Sequence, residues 1–325
     1  MKKKNFSIEN CLPDITTNNI REEILSGLTA DQKYISSKYF YDKEGSLLFE
    51  KITELEEYYP TLTEKSIIKS NAGELVKDIA GTTIVELGSG DCSKIFLLLD
   101  AISREDLKTL TYVPVDFSHT AIKDSTECLD KKYPELRISG VAADFLHGLE
   151  FISKQAQKIV CLFGSTIGNL LHHEAITFIK DVGSKLNSGD SFILGMDMVK
   201  DKTILERAYN DSQQITAAFN KNILNAINAI IKTEIDPDNF EHKAFFKESE
   251  NRIEMHLIAL SDLKYYSPYS EKAIILKEGE SIHTENSHKF TEADIYKFAA
   301  LSGLTIRNIF TDKPNRWFSL VIFER

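Results

Sequence analysis

From about residue 64 to 199, short apolar runs alternate with segments whose apolar residues recur at helical spacing. That is the pattern of a parallel sheet with helices on both faces. The β-branched run Thr82-Thr-Ile-Val85 predicts a buried strand that breaks at Gly88 and Gly90 and enters a helix over about 93–101. Further strands are expected over 110–116, 136–144, 158–163 and 191–196, the last entered through the turn Asn187-Ser-Gly-Asp190. After Asp197 the alternation stops. Residues 200–232 carry Ile204, Leu205, Ala208, Ile215, Phe219, Ile223 and Ile227 at helical period, and 243–277 reads as strand-rich. A helix over 291–301, capped by Thr291 with Asp294 three residues on, precedes a final antiparallel pair over 304–310 and 317–323. The pattern predicts an α/β cofactor domain of residues 64–199 and 290–325. An insert interrupts it, and residues 1–63 and 200–289 are expected to form a substrate-binding lid.

The glycine turn narrows the cofactor. A strand ending at a G-x-G turn that opens a helix offers free amides to a carboxylate or phosphate. A dinucleotide site asks for a third glycine, and that position holds Ser93, with no acid ending a strand about 20 residues on. S-adenosylmethionine needs the same turn without a pyrophosphate. The second strand ends in Asp116, suited to a ribose diol, and the third in Asp144-Phe145, suited to an adenine amino group and ring face. Three acid-ended strands in order point to S-adenosylmethionine.

Composition removes other classes. The chain has 325 residues and a net charge of −10, and its one basic run is Lys2-Lys3-Lys4, so neither a nucleic-acid nor an anionic-membrane partner is expected. No apolar run approaches the roughly 20 residues of a membrane helix, and the N-terminus has no secretory pattern. Cys11, Cys92, Cys128 and Cys161 stand far apart, as reduced thiols in a cytoplasmic protein would. The adjacent His172-His173 and the other scattered histidines form no ligand pattern, so no metal is expected.

Longer motifs run through both the domain and the insert: Tyr39-Phe-Tyr-Asp-Lys-Glu-Gly-Ser46, Leu48-Phe-Glu-Lys-Ile-Thr53, Glu57-Tyr-Tyr-Pro-Thr61, Val85-Glu-Leu-Gly-Ser-Gly90 and Gly164-Ser-Thr-Ile-Gly-Asn-Leu170. They continue with Ile215-Thr-Ala-Ala-Phe-Asn220, Phe240-Glu-His242, Ile253-Glu-Met255 and Thr284-Glu-Asn-Ser287. In these the chain resembles, over nearly its whole length, the bacterial histidine-specific, S-adenosylmethionine-dependent methyltransferases that make Nα-trimethylhistidine (hercynine) for ergothioneine. The resemblance implies a class I methyltransferase Rossmann-like sheet with a second domain built from the N-terminus and the insert. It implies L-histidine as the substrate, and a monomer is expected.

The resemblance also implies roles. Gly88 and Lys94 would contact the cofactor's amino-acid end, Asp116 its ribose, and Asp144 with Phe145 its adenine. Asn169 and Tyr209 would stand near the substrate carboxylate and Tyr41 near the reacting amine, so Tyr41 and Asn169 lie closest to the chemistry. Tyr58, Glu285 and Ser287 would surround the imidazole, with Met255 beside the ring and Gly164 among the substrate-binding positions. Two departures stand out. Asp91-Cys92-Ser93 occupies the place where Thr-Ser-Glu is common, and Asn286 stands where an apolar residue is usual. Competing readings are a relative that methylates another amino acid such as tryptophan, and an S-adenosylmethionine-binding protein without turnover. A nicotinamide oxidoreductase is disfavoured by Ser93.

Overall fold

The computed structural model describes residues 6–11, 17–117, 119–143, 149–150, 152 and 157–325. The chain divides into two units, one of Met1–Pro13, Thr63–Val199 and Phe290–Arg325, the other of Asp14–Leu62 and Lys200–Lys289.

The first unit is built on an eight-stranded sheet in the order Phe6–Asn10, Arg137–Ala142, Thr111–Asp116, Thr83–Leu87, Lys158–Leu162, Ser191–Asp197, Phe318–Glu324, Thr305–Thr311. Pairing is parallel as far as Ser191–Asp197, and the last two strands join antiparallel. Every residue of Thr83–Leu87 and of Ser191–Asp197 is buried, as a strand covered on both faces must be. Alternate residues serve the two faces. Val85, Leu87, Val160, Leu162 and Leu194 pack with Phe178, Ile179 and Phe298 from the helices His172–Lys185 and Glu292–Ser302. Ile84, Tyr112, Ile138, Cys161 and Ile193 pack with Ile67, Ile68, Ile95, Leu98 and Leu99 on the other. The expected Thr291 cap forms, with Asp294 Oδ2 accepting from the Thr291 amide at 2.8 Å and Thr291 Oγ1 from the Asp294 amide at 3.3 Å.

One expectation is corrected here. Residues 1–63 are expected to join the insert, yet Phe6–Asn10 pairs in parallel with Arg137–Ala142 at the sheet edge. An edge strand offers a row of free backbone groups, and a five-residue segment satisfies them without needing a strong pattern of its own.

Strand order reverses on either side of Thr83–Leu87, whose neighbours are Thr111–Asp116 and Lys158–Leu162. Sheets of this kind bind ligands beyond the carboxyl ends of the strands at such a reversal. The turns after Leu87 and after Leu162 both lie there.

The second unit has a four-stranded sheet in the order Lys33–Tyr34, Ser281–His288, Arg252–Ala259, Phe240–Lys247. Sequence pattern anticipated Arg252–Ala259 but not Ser281–His288, whose residues are nearly all polar. That strand pairs antiparallel with Arg252–Ala259, with a register shift between His283 and Glu285. The helix Ile215–Ile231 meets the helix Lys43–Thr53 through Asn222, whose amide donates to Asp42 Oδ1 at 2.9 Å. Asp42 also caps Lys43–Thr53 by accepting from the Gly45 amide at 2.7 Å. Phe40 stacks on Phe219 with ring centroids 4.5 Å apart.

Candidate active site

In the first unit the turn after Leu87 carries three residues in the left-handed region: Gly88 at φ 69°, Gly90 at φ 50° and Cys92 at φ 61°. Such a conformation is free for glycine and strained for cysteine. A Cβ built on Gly90 would meet nothing within 4 Å, so the turn presents bare backbone to open space. Beside it, the Gly90 amide donates to Asp116 Oδ2 at 3.2 Å, which ties the ribose candidate to the turn. Bare turn and adjacent carboxylate fit the amino-acid and ribose ends of S-adenosylmethionine. The helix Ser93–Leu99 follows, and its first amide is already taken, because Ser93 N donates to Asp91 Oδ1 at 3.0 Å. The departure at Asp91 thus supplies the cap for that amide from within the turn. Burial pushes the Cys92 thiol up, away from the reactive thiolate.

Glu86 faces the interior of the sheet. It accepts a short hydrogen bond from the Tyr112 hydroxyl. Burial raises its carboxyl to about 8, against the opposing pull of that hydrogen bond and of the Lys94 charge. Lys94 itself is held by Glu64, a residue that sequence reasoning passed over. Glu64, on the helix Tyr59–Leu75, is fully buried, and its carboxylate lies 2.7 Å from Lys94 Nζ. Its two oxygens accept from the Gly164 amide at 2.9 and 2.8 Å. The structure therefore brings Lys94 and Gly164 together through one carboxylate. Gly195 makes room for it, since a Cβ there would stand 2.1 Å from Glu64 Oε1. Asn169 ends the short 3₁₀ turn Thr166–Asn169, which starts from Ser165 at φ 55°. Ser165 Oγ accepts from the Asp197 amide at 2.9 Å, pinning that turn to the neighbouring strand. Asp144 and Phe145 lie outside the described residues.

In the second unit the aromatic candidates form a chain of edge contacts. Tyr41 meets Phe49 at 5.7 Å between centroids, Phe49 meets Tyr58 at 6.3 Å, and Tyr58 meets Tyr209 at 6.0 Å. The Tyr209 hydroxyl donates to Ser287 Oγ at 2.8 Å. Lys289, buried and unforeseen, donates to Tyr209 Oη at 3.0 Å and to Ser287 Oγ at 2.9 Å. Glu285 pairs across the strands with the buried Met255. Burial of the largely covered Glu285 raises its carboxyl to about 7, and the Lys289 charge opposes that rise.

The motif residues Asn220 and His242 hold Tyr209 in place. Asn220 Nδ2 is 2.8 Å from His242 Nδ1, so the other ring nitrogen carries the proton and donates to the Tyr209 carbonyl at 2.9 Å. Burial lowers His242 and keeps it neutral. Asn220 also accepts from Thr284 Oγ1 at 2.7 Å and donates to the His256 carbonyl at 3.1 Å, which links three segments of the unit. At the second departure, Asn286 Oδ1 is buried without a hydrogen-bond partner among the described residues.

The fold also assembles a cluster that spacing did not reveal. Glu254, His256 and His283 bring one potential ligand atom each within 4.8 Å of one another. Arg252 donates to Glu254 Oε1 at 2.9 and 2.6 Å, Lys247 donates to the same oxygen at 3.2 Å, and His256 lies 3.1 Å from Oε2. Burial alone would raise the Glu254 carboxyl, but hydrogen bonds from Arg252, His256 and Lys247 hold it at about 2. A divalent ion there would face two cations already paired with its carboxylate, which makes the cluster an ion-pair network.

A protein-family model described as histidine-specific methyltransferase, SAM-dependent, matches residues 20–325. The chain is similar to the histidine N-alpha-methyltransferase of Mycolicibacterium smegmatis, with 36% identity over 293 residues that cover 90% of this chain and 91% of that protein. The histidine N-alpha-methyltransferase of Mycobacterium tuberculosis is 34% identical over 294 residues, with 90% and 91% covered. A 4-dimethylallyltryptophan N-methyltransferase of Aspergillus fumigatus is 24% identical over 309 residues, covering 90% of each chain. Among solved structures, an S-adenosylmethionine-dependent methyltransferase from Clostridium acetobutylicum aligns at a TM-score of 0.47 and 12% identity, covering 87% of this chain and 98% of that one.

Proposed function

The chain belongs to the histidine-specific, S-adenosylmethionine-dependent methyltransferases, and on that premise we propose the following account of its reaction. It is an enzyme that transfers methyl groups from S-adenosylmethionine to the α-amino nitrogen of L-histidine, as far as Nα-trimethylhistidine. The observation that carries the account is the arrangement on one strand of Glu285 and Ser287, two residues apart and so on one face, with the Tyr209 and Lys289 partners of Ser287 buried beside it. A carboxylate that accepts from one ring nitrogen and a hydroxyl that serves the other suit an imidazole. An indole or phenyl side chain would leave at least one of them buried and unpaired, which costs about 1–3 kcal/mol per group.

Gly88, Lys94 and Asp116 are assigned to the cofactor, with Asp144 and Phe145 for its adenine. Asn169 and Tyr209 are assigned to the substrate carboxylate, Tyr41 to the amine, and Tyr58, Glu285, Ser287 and Met255 to the ring, with Gly164 a substrate-binding backbone position. Bound S-adenosylmethionine supplies an electrophilic methyl carbon on a positively charged sulfur. The protein's part is alignment. A gripped ring and carboxylate leave the amine nitrogen only one approach, and holding reactants in line is worth about 7–11 kcal/mol in well-oriented cases. The amine must be neutral to attack, and an α-amino group titrates near 8 in peptides. No dedicated base is needed where solvent takes that proton.

The enzyme takes a small amino-acid substrate. A monomeric cytoplasmic enzyme without nucleic-acid or membrane partners is our reading of the net charge of −10 and of the free thiols. Among the described residues no helix is long and apolar enough to cross a membrane. The test is direct. Purified protein is incubated with S-adenosylmethionine and each of the twenty amino acids, and products are weighed by mass spectrometry. Gains of one to three methyl groups on histidine alone are expected. Product from tryptophan but not histidine would overturn the specificity, and no product from any amino acid would overturn the activity.

A further inference from the structure

The first unit carries a cleft of about 330 Å³ beside Met198 and Val199, which follow the strand Ser191–Asp197. None of the residues assigned above to cofactor or substrate lines it. Its size falls in the range of about 300–1,000 Å³ usual for small-ligand pockets. Phe290, Ile295 and Ile309 give it apolar walls. Ser319 and Thr311, which also line it, stand opposite each other on the last two strands of the sheet. By alternation Ser319 shares the face of Val321 and Phe323, the face that Ile295 and Phe298 cover from the helix Glu292–Ser302. Its side chain therefore points to the side of the sheet where the cleft lies. Only 2% of Ser319 is exposed, and among the described residues its hydroxyl has no hydrogen-bond partner. Buried polar groups in folded proteins are nearly always paired, so a free hydroxyl in a cleft asks for a ligand.

The charges on the cleft point to that ligand's chemistry. Arg316 and Glu292 both line it, with side chains 65% and 59% exposed, and their nearest atoms are 3.7 Å apart. That is beyond hydrogen-bond reach, and exposed pairs of this kind contribute little, so they separate easily. Among the described residues neither side chain makes a hydrogen bond. We propose that the cleft is a second binding site, for a free α-amino acid whose apolar side chain ends in a hydrogen-bonding group. The Arg316 fork takes the carboxylate and Glu292 the ammonium. The apolar stem lies against Phe290, Ile295 and Ile309, and the polar tip meets Ser319 and Thr311. An anion alone would face Glu292, an amine alone would face Arg316, and a wholly apolar molecule would leave Ser319 unpaired. A zwitterion satisfies both signs. The site goes beyond the reaction proposed above and does not depend on it.

The experiment titrates L-methionine, L-glutamine and L-tyrosine into the full chain by calorimetry, without S-adenosylmethionine. For any that binds, the corresponding amine and carboxylic acid are titrated as well. The variants are Arg316→Gln, Glu292→Gln and Ser319→Val, with Glu285→Ala as the marker of the candidate substrate pocket. Arg316 and Glu292 are exposed, so their variants leave the fold intact, which thermal unfolding checks. At least one amino acid is expected to bind, one per chain, with Kd of about 1 mM or tighter. Each cleft variant weakens it about fivefold or more, and the amine or the acid alone binds about tenfold more weakly. Glu285→Ala leaves this binding unchanged. No binding of any probe up to about 10 mM would overturn the proposal. So would binding that survives all three cleft variants, or binding that Glu285→Ala removes, which would put the probe in the substrate pocket. An amine or acid that binds as well as its amino acid would overturn the zwitterion assignment. The titrations need no turnover, so a failure to methylate histidine would strike the functional reading and not this one.

Discussion

The carboxylate of Glu64 and the ammonium of Lys94 stand 2.7 Å apart, and the same carboxylate receives the Gly164 amide on both oxygens. A residue with no exposed surface thus sets the position of a candidate cofactor ligand. Removing one partner of a buried pair leaves the other uncompensated, at a cost of about 3–5 kcal/mol. Lys94 keeps some exposure, so the lower end applies. Glu64→Ala is expected to lower unfolding free energy by about 3 kcal/mol in urea titrations and to weaken S-adenosylmethionine binding. Glu64→Gln keeps an acceptor for Gly164 and should recover part of the stability while leaving cofactor binding impaired. Unaltered calorimetric affinity in both variants would show that Lys94 needs no such partner.

Glu285 should give histidine use a pH dependence of its own. Its carboxyl is raised to about 7, so the accepting carboxylate is populated only above that pH. Histidine binding is therefore expected to weaken as pH falls through about 7, seen as a rising KM. Glu285→Gln cannot ionise and should abolish that limb. The rise that persists at higher pH belongs to the substrate amine, near 8 in peptides. Cofactor affinity should be indifferent to the substitution. Parallel loss of histidine and cofactor binding would contradict the assignment.

Glu86 predicts the pH dependence of stability in the first unit. Burial lifts its carboxyl from 4.5 to about 8, so between those values the folded chain holds a proton that the unfolded chain has released. A raised value contributes stability that is complete below about 4.5 and lost as pH rises through 8. Glu86→Gln still offers an oxygen to the Tyr112 hydroxyl and never ionises. The variant is expected to gain on wild type by a few kcal/mol between pH 6 and pH 9 in urea unfolding. A constant difference across that range would place the proton elsewhere.

What the sequence made legible was local. The strand Thr83–Leu87, its glycine turn and the Thr291 cap each follow from a few adjacent residues, and each stands where the pattern put it. Glu64 and Lys289 were invisible for the opposite reason. A lone Glu in a helix and a lone Lys beside a polar segment are solvated by default, and what buries them comes from strands and turns far away in the chain. Ser281–His288 does not show in the sequence because polar residues occupy positions where a strand signal needs apolar ones. The Glu254 cluster needed the cross-strand register of His283 with His256, which no spacing encodes.

Asn286 lies between Glu285 and Ser287 on that strand, opposite Glu254, and its buried Oδ1 has no partner among the described residues. Alternation turns it away from the face that Glu285 and Ser287 share, so its amide is an internal cost and not a contact to the ring. An unsatisfied buried polar group costs about 1–3 kcal/mol, and a β-branched apolar residue suits a strand. Asn286→Val is therefore expected to raise the unfolding free energy by about 1 kcal/mol, seen as a higher melting temperature, with KM for histidine within about twofold of wild type. A stabilised variant with a sharply raised KM would mean that the amide reaches the substrate after all, and that the departure at this position sets specificity. A destabilised variant with unchanged kinetics would mean that the amide nitrogen holds the strand more firmly than the unpartnered oxygen loosens it.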